Sequence, residues 1–338
     1  MLPPNFPLIS IIIPVYNGGL PFKICLQSLD RYRPSHCSTE VIVVADGCTD
    51  GSDTLAKTFG ATVLSTTAPG GPARARNIGA RQATGDILFF VDADVAIQAD
   101  TLDQVATLFA QAPDLAAAIG SYDDAPGETN FLSQYKNLFH HYTHQTAQEE
   151  ASTFWGACGA IRRDVFWTVG GFDENYKKPS IEDIELGYRL KQQGYHIRLC
   201  KTLQVKHLKR WQPLSLLRAE FFYRALPWTQ LLLSRQQMTN DLNLKIVTRL
   251  SIALIFVLFG TLFSALWLRF SLGLAFGIAG LLLGLNWPVY HFFYRHRGLW
   301  FALRAVPWHW LYFFYSGTAY ALGLVHFYFG LKRPIFSK

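Results

Sequence analysis

The hydrophobic positions fall into two regimes. Up to about residue 237, short apolar runs alternate with mixed stretches; beyond Lys245 the apolar residues are nearly continuous. In the first regime the run 8–15 (Leu-Ile-Ser-Ile-Ile-Ile-Pro-Val) reads as a buried strand, rich in β-branched residues and closed by the polar turn Tyr16-Asn17-Gly18-Gly19. A helix is predicted over 21–29, a second strand over 40–45, the Asp46-Gly47 turn, and a helix over about 52–59. A short strand at 61–64 precedes the Gly70-Gly71-Pro72 turn, which opens a helix over 74–83. The run 86–91 is a fourth strand, and it stops abruptly at two carboxylates, Asp92 and Asp94. Strands alternating with helices imply an α/β fold with a parallel sheet of βαβ units. Ligands of such sheets bind outside the C-terminal strand ends, where Tyr16, Asp46, Asp92 and Asp94 all fall.

The pattern then loosens. The stretch 154–161 (Phe-Trp-Gly-Ala-Cys-Gly-Ala-Ile) is read as a strand whose small residues allow close approach, 170–173 as a turn, and 181–193 as a helix ended by Gly194. Over 213–235, Leu, Phe and Trp alternate with Arg218, Arg224 and Arg235, a basic amphipathic pattern suited to a membrane interface or to packing on a neighbouring domain. Pro227 is expected to break or kink it. Three apolar segments follow, at about 250–268, 270–290 and 306–330, each with roughly the 20 residues a helix needs to cross a bilayer. The first two show no polar face and form a tight hairpin around Arg269. These boundaries divide the chain into a domain at 1–212, an interfacial segment at 213–245 and a membrane domain at 246–338 with two to three transmembrane helices.

Composition sharpens this division. The 338 residues are 50% hydrophobic and 16% charged, with a net charge of +7. Basic residues crowd the stretch 198–249, immediately before the apolar segments, so anionic lipid headgroups explain them more simply than nucleic acid does. The five cysteines are scattered without a Cys-x-x-Cys pair, which argues against a disulfide framework or a structural zinc and for a reducing compartment. No secretory signal is visible at the N-terminus.

Two oxygen donors at a strand's C-terminal edge can hold a hard divalent cation, and that cation a diphosphate, although an isolated Asp-x-Asp is equally a solvated turn or a helix cap before Thr101. Six motifs in order change this balance: 11–17 (Ile-Ile-Ile-Pro-Val-Tyr-Asn), 43–50 (Val-Val-Ala-Asp-Gly-Cys-Thr-Asp), 73–79 (Ala-Arg-Ala-Arg-Asn-Ile-Gly), 91–94 (Val-Asp-Ala-Asp), 170–173 (Gly-Gly-Phe-Asp) and 182–190 (Glu-Asp-Ile-Glu-Leu-Gly-Tyr-Arg-Leu). Together, over about residues 8–210, they resemble the family 2 glycosyltransferases, whose Rossmann-like fold is called GT-A. The resemblance implies a donor nucleotide site at Pro14, Tyr16, Asp46, Arg76 and Asp92, with Tyr16 forming a flat wall and Asp46 accepting from a base N–H. Many members carry two consecutive Asp there, whereas this chain has Ala45 before Asp46. The resemblance further implies Mg²⁺ or Mn²⁺ at Asp94, which His207 could complete. It implies Asp183 as general base for an acceptor hydroxyl, with Glu182 and Trp211 on the acceptor side. Read alone, Glu182 and Asp183 also suit a helix N-terminus, Asp46 an Asp-Gly turn, and Arg74 or Arg76 either phosphate oxygens or solvent. Glu185 and Arg189 are spaced as a helix-face ion pair. Lys209-Arg210-Trp211 is similar to part of the Gln-x-x-Arg-Trp motif of processive synthases, but the full motif is absent.

These residues lead to the expectation of a membrane-bound inverting glycosyltransferase. It would move a sugar from a nucleoside diphosphate sugar to a hydroxyl of a lipid or lipid-linked glycan. The alternatives are a polyprenyl-phosphate acceptor, which needs no base, and a non-catalytic membrane scaffold with a nucleotide-binding domain. A dinucleotide-dependent dehydrogenase is disfavoured because only Asn17-Gly18-Gly19 follows the first strand. The expected location is the inner (plasma) membrane, multi-pass, with the catalytic domain cytoplasmic. Arg295, Arg297 and Arg304 return to the same side after the hairpin, while Lys332, Arg333 and Lys338 at the C-terminus conflict with a third full span.

Overall fold

Pairing of the apolar runs builds one eight-stranded sheet, described in a computed structural model that covers residues 6–235 and 245–329. The chain divides into two compact units, Met1–Trp211 and Gln212–Lys338. In the first, β1 (Ile9–Val15), β2 (Thr39–Asp46), β3 (Thr62–Thr66) and β4 (Ile87–Val91) lie side by side and parallel, in the order β3-β2-β1-β4. The connections are the helices α1 (Gly19–Arg31), α2 (Ser52–Thr58) and α3 (Pro72–Gln82). Each of these strands and helices falls within a few residues of its predicted place. β1 and β4 are buried on both faces, as their unbroken apolar runs require.

The second half of the sheet departs from the all-parallel expectation. β7 (Cys158–Arg162) enters antiparallel to β4 and to β6 (Ala117–Tyr122). β6 pairs in parallel with β8 (Ile197–His207), and β5 (Val95–Ile97) closes the edge antiparallel to β8. The strand read at 154–161 begins only at Cys158, because 154–155 are irregular and 156–157 form a turn, whose Gly156 N–H reaches the site. The helices here are α4 (Thr101–Gln111), α5 (Phe131–Gln145), α6 (Arg163–Thr168) and α7 (Glu182–Gln192). Phe90, Phe154, Phe166 and Phe172 interlock beneath the sheet edge, mostly edge-to-face, with centroids 5.1–6.3 Å apart.

The second unit is helical. α8 (Pro213–Arg218) passes into a π-helical stretch, Ala219–Ala225, and then α9 (Leu226–Arg235). The helical run is thus not interrupted at Pro227, but it departs from α geometry into the π-helical stretch just before it. The rest of the predicted interfacial segment, 236–244, lies outside the described residues. Buried Glu220 faces Arg224 at 3.6 Å and accepts from the Tyr315 hydroxyl at 3.1 Å.

Three helices follow, α10 (Ile246–Ser264), α11 (Phe270–Leu285) and α12 (Trp287–Tyr328). Among the described residues α10 alone is long and apolar enough by itself to cross a membrane; α11 and α12, bent by 64° where they meet, pass only as a pair, as a broken span or a re-entrant loop. The second predicted segment ends early because Asn286 donates to Ser251 and to the Leu282 carbonyl, both at 2.9 Å, and so turns the chain at that point. Gly298 is non-helical within α12, and the third predicted segment occupies the later part of that helix. Ile255, Leu258, Ala275, Ile278, Leu282 and Phe313 form the inner seam of this unit. Large apolar side chains such as Phe259, Phe263, Trp267 and Phe276 face outward. The basic tail with Lys332, Arg333 and Lys338 lies outside the described residues.

Candidate active site

The end of β4 is joined to the first turn of α7 through Arg76, which binds both Asp92 and Glu182. Asp92 and Asp94 follow β4 directly and are half-buried, as predicted from the strand that stops at them. The antiparallel register pairs Val95 with His207, and the Leu208 N–H donates to the Asp94 carbonyl at 2.8 Å. His207 therefore comes beside Asp94, with Nε2 3.9 Å from Oδ2. Burial, reinforced by the charge of Lys209, pushes the imidazole pKa down to about 3, so the ring is neutral and has a lone pair for a metal.

Among the described residues no group of three or more His, Cys, Asp or Glu could hold a metal on its own. One carboxylate and one neutral imidazole nevertheless suit Mg²⁺ or, better, Mn²⁺, provided that a bound diphosphate and water complete the shell. Their 3.9 Å separation is too long for a hydrogen bond and short enough for both to reach one ion. Lys209, which no sequence pattern marked as a site residue, places its ammonium 4.0 Å from the same Asp94 oxygen. Its charge also sits 4.5 Å from the centroid of the Trp211 ring. Trp211 is thereby linked to Asp94 through Lys209, and it is fastened to α5 by Ser133, whose hydroxyl accepts from its backbone N–H at 2.7 Å.

Arg76 occupies the centre. Its Nη2 donates to Asp92 at 2.7 Å and its Nη1 to Glu182 at 2.8 Å, and its guanidinium lies over the Phe172 ring at 5.3 Å. Burial alone would lower its pKa, but Asp92, Glu182 and Asp183 outweigh that and raise it further. Glu182 is itself buried, and its other oxygen accepts from the Ser180 N–H at 2.9 Å. Asp183, half-buried, accepts from Gly156 N–H at 3.0 Å through Oδ2 and from Ile184 N–H at 2.8 Å through Oδ1. The small residues at 156–159 thus supply a backbone donor that fixes the Asp183 carboxylate. Glu185 pairs with Arg189 at 2.7 Å, as their helical spacing predicts.

Tyr16 stands exposed after β1, and Pro14 lies within β1 opposite Val44. Asn17 accepts from Thr49 N–H at 2.8 Å and Asp50 from Gly19 N–H at 3.1 Å, which ties the loops after β1 and β2 together. The Asp46 carboxylate is buried and turned into the next loop. It accepts from Thr66 Oγ1 at 2.9 Å, from Gly70 N–H at 2.8 Å and from Gly71 N–H at 2.8 Å. Gly71 has φ 92°, and a Cβ there would lie 2.4 Å from the Lys177 carbonyl oxygen, so only glycine fits this turn into α3.

Comparison with known proteins agrees with this architecture. Residues 10–170 match the family model of glycosyl transferase family 2, and residues 136–211 that of the N-terminal domain of galactosyltransferase. The chain is 39% identical over 90 residues to an uncharacterised glycosyltransferase, YibD, of Escherichia coli, a match covering 25% of this chain and 26% of that protein. It is 28% identical over 235 residues to the pre-mycofactocin glycosyltransferase of Mycobacterium tuberculosis, covering 65% of this chain and 47% of the relative. The chain thus spans less than half the length of either curated relative. Among solved structures it is similar to a mannosyltransferase of Pyrobaculum calidifontis in complex with GDP-Man and Mn²⁺. There the TM-score is 0.56 at 18% identity, with 96% of this chain and 88% of that one covered. The fold is GT-A, with further helices after it.

Proposed function

We propose that the chain is a membrane-associated inverting glycosyltransferase that takes a sugar from a nucleoside diphosphate sugar and delivers it to a hydroxyl of a lipid or lipid-linked glycan. The observation that carries this reading is the convergence of Asp92, Asp94, His207, Arg76, Glu182 and Asp183 at one sheet edge, in a chain with a family 2 match. The donor diphosphate lies against Asp94, with Tyr16 and the turns after β1 and β2 walling the nucleotide. Asp94 and His207 are the residues that would hold a divalent cation, which would supply positive charge against the leaving nucleoside diphosphate. Lys209 adds a second positive group on that side. Asp183 takes the proton of the acceptor hydroxyl as the oxygen attacks the anomeric carbon from the face opposite the leaving group, so the anomeric configuration inverts. Arg76 and Glu182 hold the metal-side and base-side carboxylates in fixed relation, and Trp211 flanks the acceptor path.

The domain at 1–212 is the catalytic one. The basic amphipathic segment at 213–245 lies in the membrane interface, and the apolar helices anchor the protein in the plasma membrane with the catalytic domain cytoplasmic, on the side of the nucleotide-sugar pool. The test is nucleoside diphosphate release from a panel of nucleotide sugars by membranes containing the protein, with Mn²⁺ and lipid extract. Release with one donor, lost in Asp94→Ala and Asp183→Asn, is the expected result. Retention in Asp183→Asn would replace the hydroxyl acceptor by a phosphate one, and silence across the whole panel would overturn the enzymatic reading.

A further inference from the structure

Tyr122 belongs to none of the sequence motifs, yet its ring lies face to face with the His207 imidazole. The centroids are 4.2 Å apart and the planes 12° from parallel. The arrangement follows from strand order. β6 carries Tyr122 beside Val205 of β8, and β5 carries Val95 beside His207, so the imidazole sits between the Asp94 loop and the Tyr122 ring. Tyr122 is itself buried and held on several sides. Trp155 meets it edge-on at 4.8 Å, and His140 packs against it at 4.7 Å. Asn137 on α5 donates to the Asp123 carbonyl at 2.7 Å, and His141 Nδ1 lies 2.7 Å from the Tyr122 carbonyl oxygen, so α5 clamps the end of β6.

A histidine ring attached through two rotatable bonds presents its lone pair in a fixed direction only if its plane is constrained. Metal-bound histidines usually obtain that constraint from a hydrogen bond to the second ring nitrogen. Here the flat contact with Tyr122 restrains rotation about the Cβ–Cγ bond of His207. We propose that Tyr122 is a positioning residue for His207: its ring fixes the imidazole plane so that Nε2 is presented, together with Asp94, to the divalent cation that accompanies the donor. This rests on the reading of Asp94 and His207 as the metal-holding pair. The contact is made by the ring face and not by the hydroxyl, so an aromatic ring is the requirement at this position.

The experiment is a titration of the full-length, detergent-solubilised protein with Mn²⁺ in the presence of UDP and, in a parallel series, GDP, with free Mn²⁺ read by electron paramagnetic resonance. Tyr122→Phe keeps the affinity. Tyr122→Leu weakens it roughly tenfold, the lower end of what loss of a metal ligand's orienting partner costs. His207→Ala weakens it as well, and adding Tyr122→Leu to His207→Ala costs nothing more, because the tyrosine acts through the histidine. Equal losses from Tyr122→Leu in the presence and absence of His207 would overturn the proposal, and so would a Tyr122→Leu protein that binds Mn²⁺ as tightly as the parent. If His207→Ala leaves the affinity untouched, the metal-pair reading itself fails. A thermal melt of each variant separates loss of the site from loss of the fold.

Discussion

Arg76 and Glu182 stand 106 residues apart in sequence and 2.8 Å apart in the fold, both buried. Through its other nitrogen the same guanidinium holds Asp92 at 2.7 Å, so one side chain couples the end of β4 to the start of α7. The two ends of the proposed reaction, metal side and base side, are therefore positioned by one planar cation. The fork geometry matters, because a lysine ammonium cannot span two carboxylates in this way.

Arg76→Lys and Glu182→Gln are each expected to reduce nucleoside diphosphate release by at least about a hundredfold, since misplacing reacting groups by about an ångström costs that much. Breaking one side of a buried pair also costs stability, about 3–5 kcal/mol when a charge is left unpaired. Chemical denaturation should show this loss for Arg76→Ala. An Arg76→Lys protein with parental activity would remove the coupling role.

Lys209 presents a different case, because its side chain is half-exposed and held near Asp94 by electrostatics and by the face of Trp211. Lys209→Met is expected to lower kcat about a hundredfold, the lower end of what loss of one group stabilising a developing anion costs, and to leave the melting temperature almost unchanged. Steady-state kinetics against the donor and a thermal melt check both parts. A rise in KM alone would place Lys209 in donor binding and not in leaving-group stabilisation.

Asp46 lies between fold and function. Its carboxylate accepts bonds from Thr66, Gly70 and Gly71, which anchor the turn that launches α3, the helix carrying Arg76. An asparagine offers one acceptor oxygen where these donors now meet two. Asp46→Asn is expected to destabilise the first unit by about 2 kcal/mol, in the range for hydrogen bonds to a charged group, and to raise the donor KM. Denaturant titration and donor kinetics measure the two effects separately. An Asp46→Asn variant with unchanged stability but lost selectivity among nucleotides would show that the residue reads the base directly.

The parallel half of the sheet was legible because three of its four strands are mainly apolar runs closed by a turn: Val15 before Tyr16, Asp46 before Gly47, Val91 before Asp92. The carboxylates at those ends could be located in the chain, but their partners could not. Arg76 reaches Glu182, and Tyr122 reaches His207, only through the pairings of β6, β7 and β8, which are remote in sequence. β6 (Ala-Ala-Ile-Gly-Ser-Tyr) has no strong strand composition, and its course is set by burial between β7 and β8. The apolar segments were legible as helices, but their breaks were not. Asn286 ends α11 through a side-chain bond to Ser251 on another helix, which local composition does not encode.

Glu40 gives a prediction for pH. Its Oε1 receives the Ser10 hydroxyl at 2.5 Å, the Thr84 N–H at 2.7 Å and hydroxyl at 2.9 Å, and the Gly85 N–H at 3.2 Å, fastening β2 to β1 and to the lead-in of β4. Partial burial works to raise the pKa of this carboxyl, but the bonds from Ser10, Thr84 and Gly85 outweigh it and hold the pKa below its ordinary 4.5. A carboxylate with a depressed folded-state pKa contributes stability that is fully present above 4.5 and is lost as the pH falls through the folded value. The unfolded chain takes up the proton first, so acid favours unfolding. Glu40→Gln is therefore expected to lower stability at pH 7 and to flatten the decline between pH 5 and 3, in melts recorded on the parent and the variant across that range. Parallel stability curves for the two proteins would show that the charge on Glu40 contributes nothing to holding these three strands together.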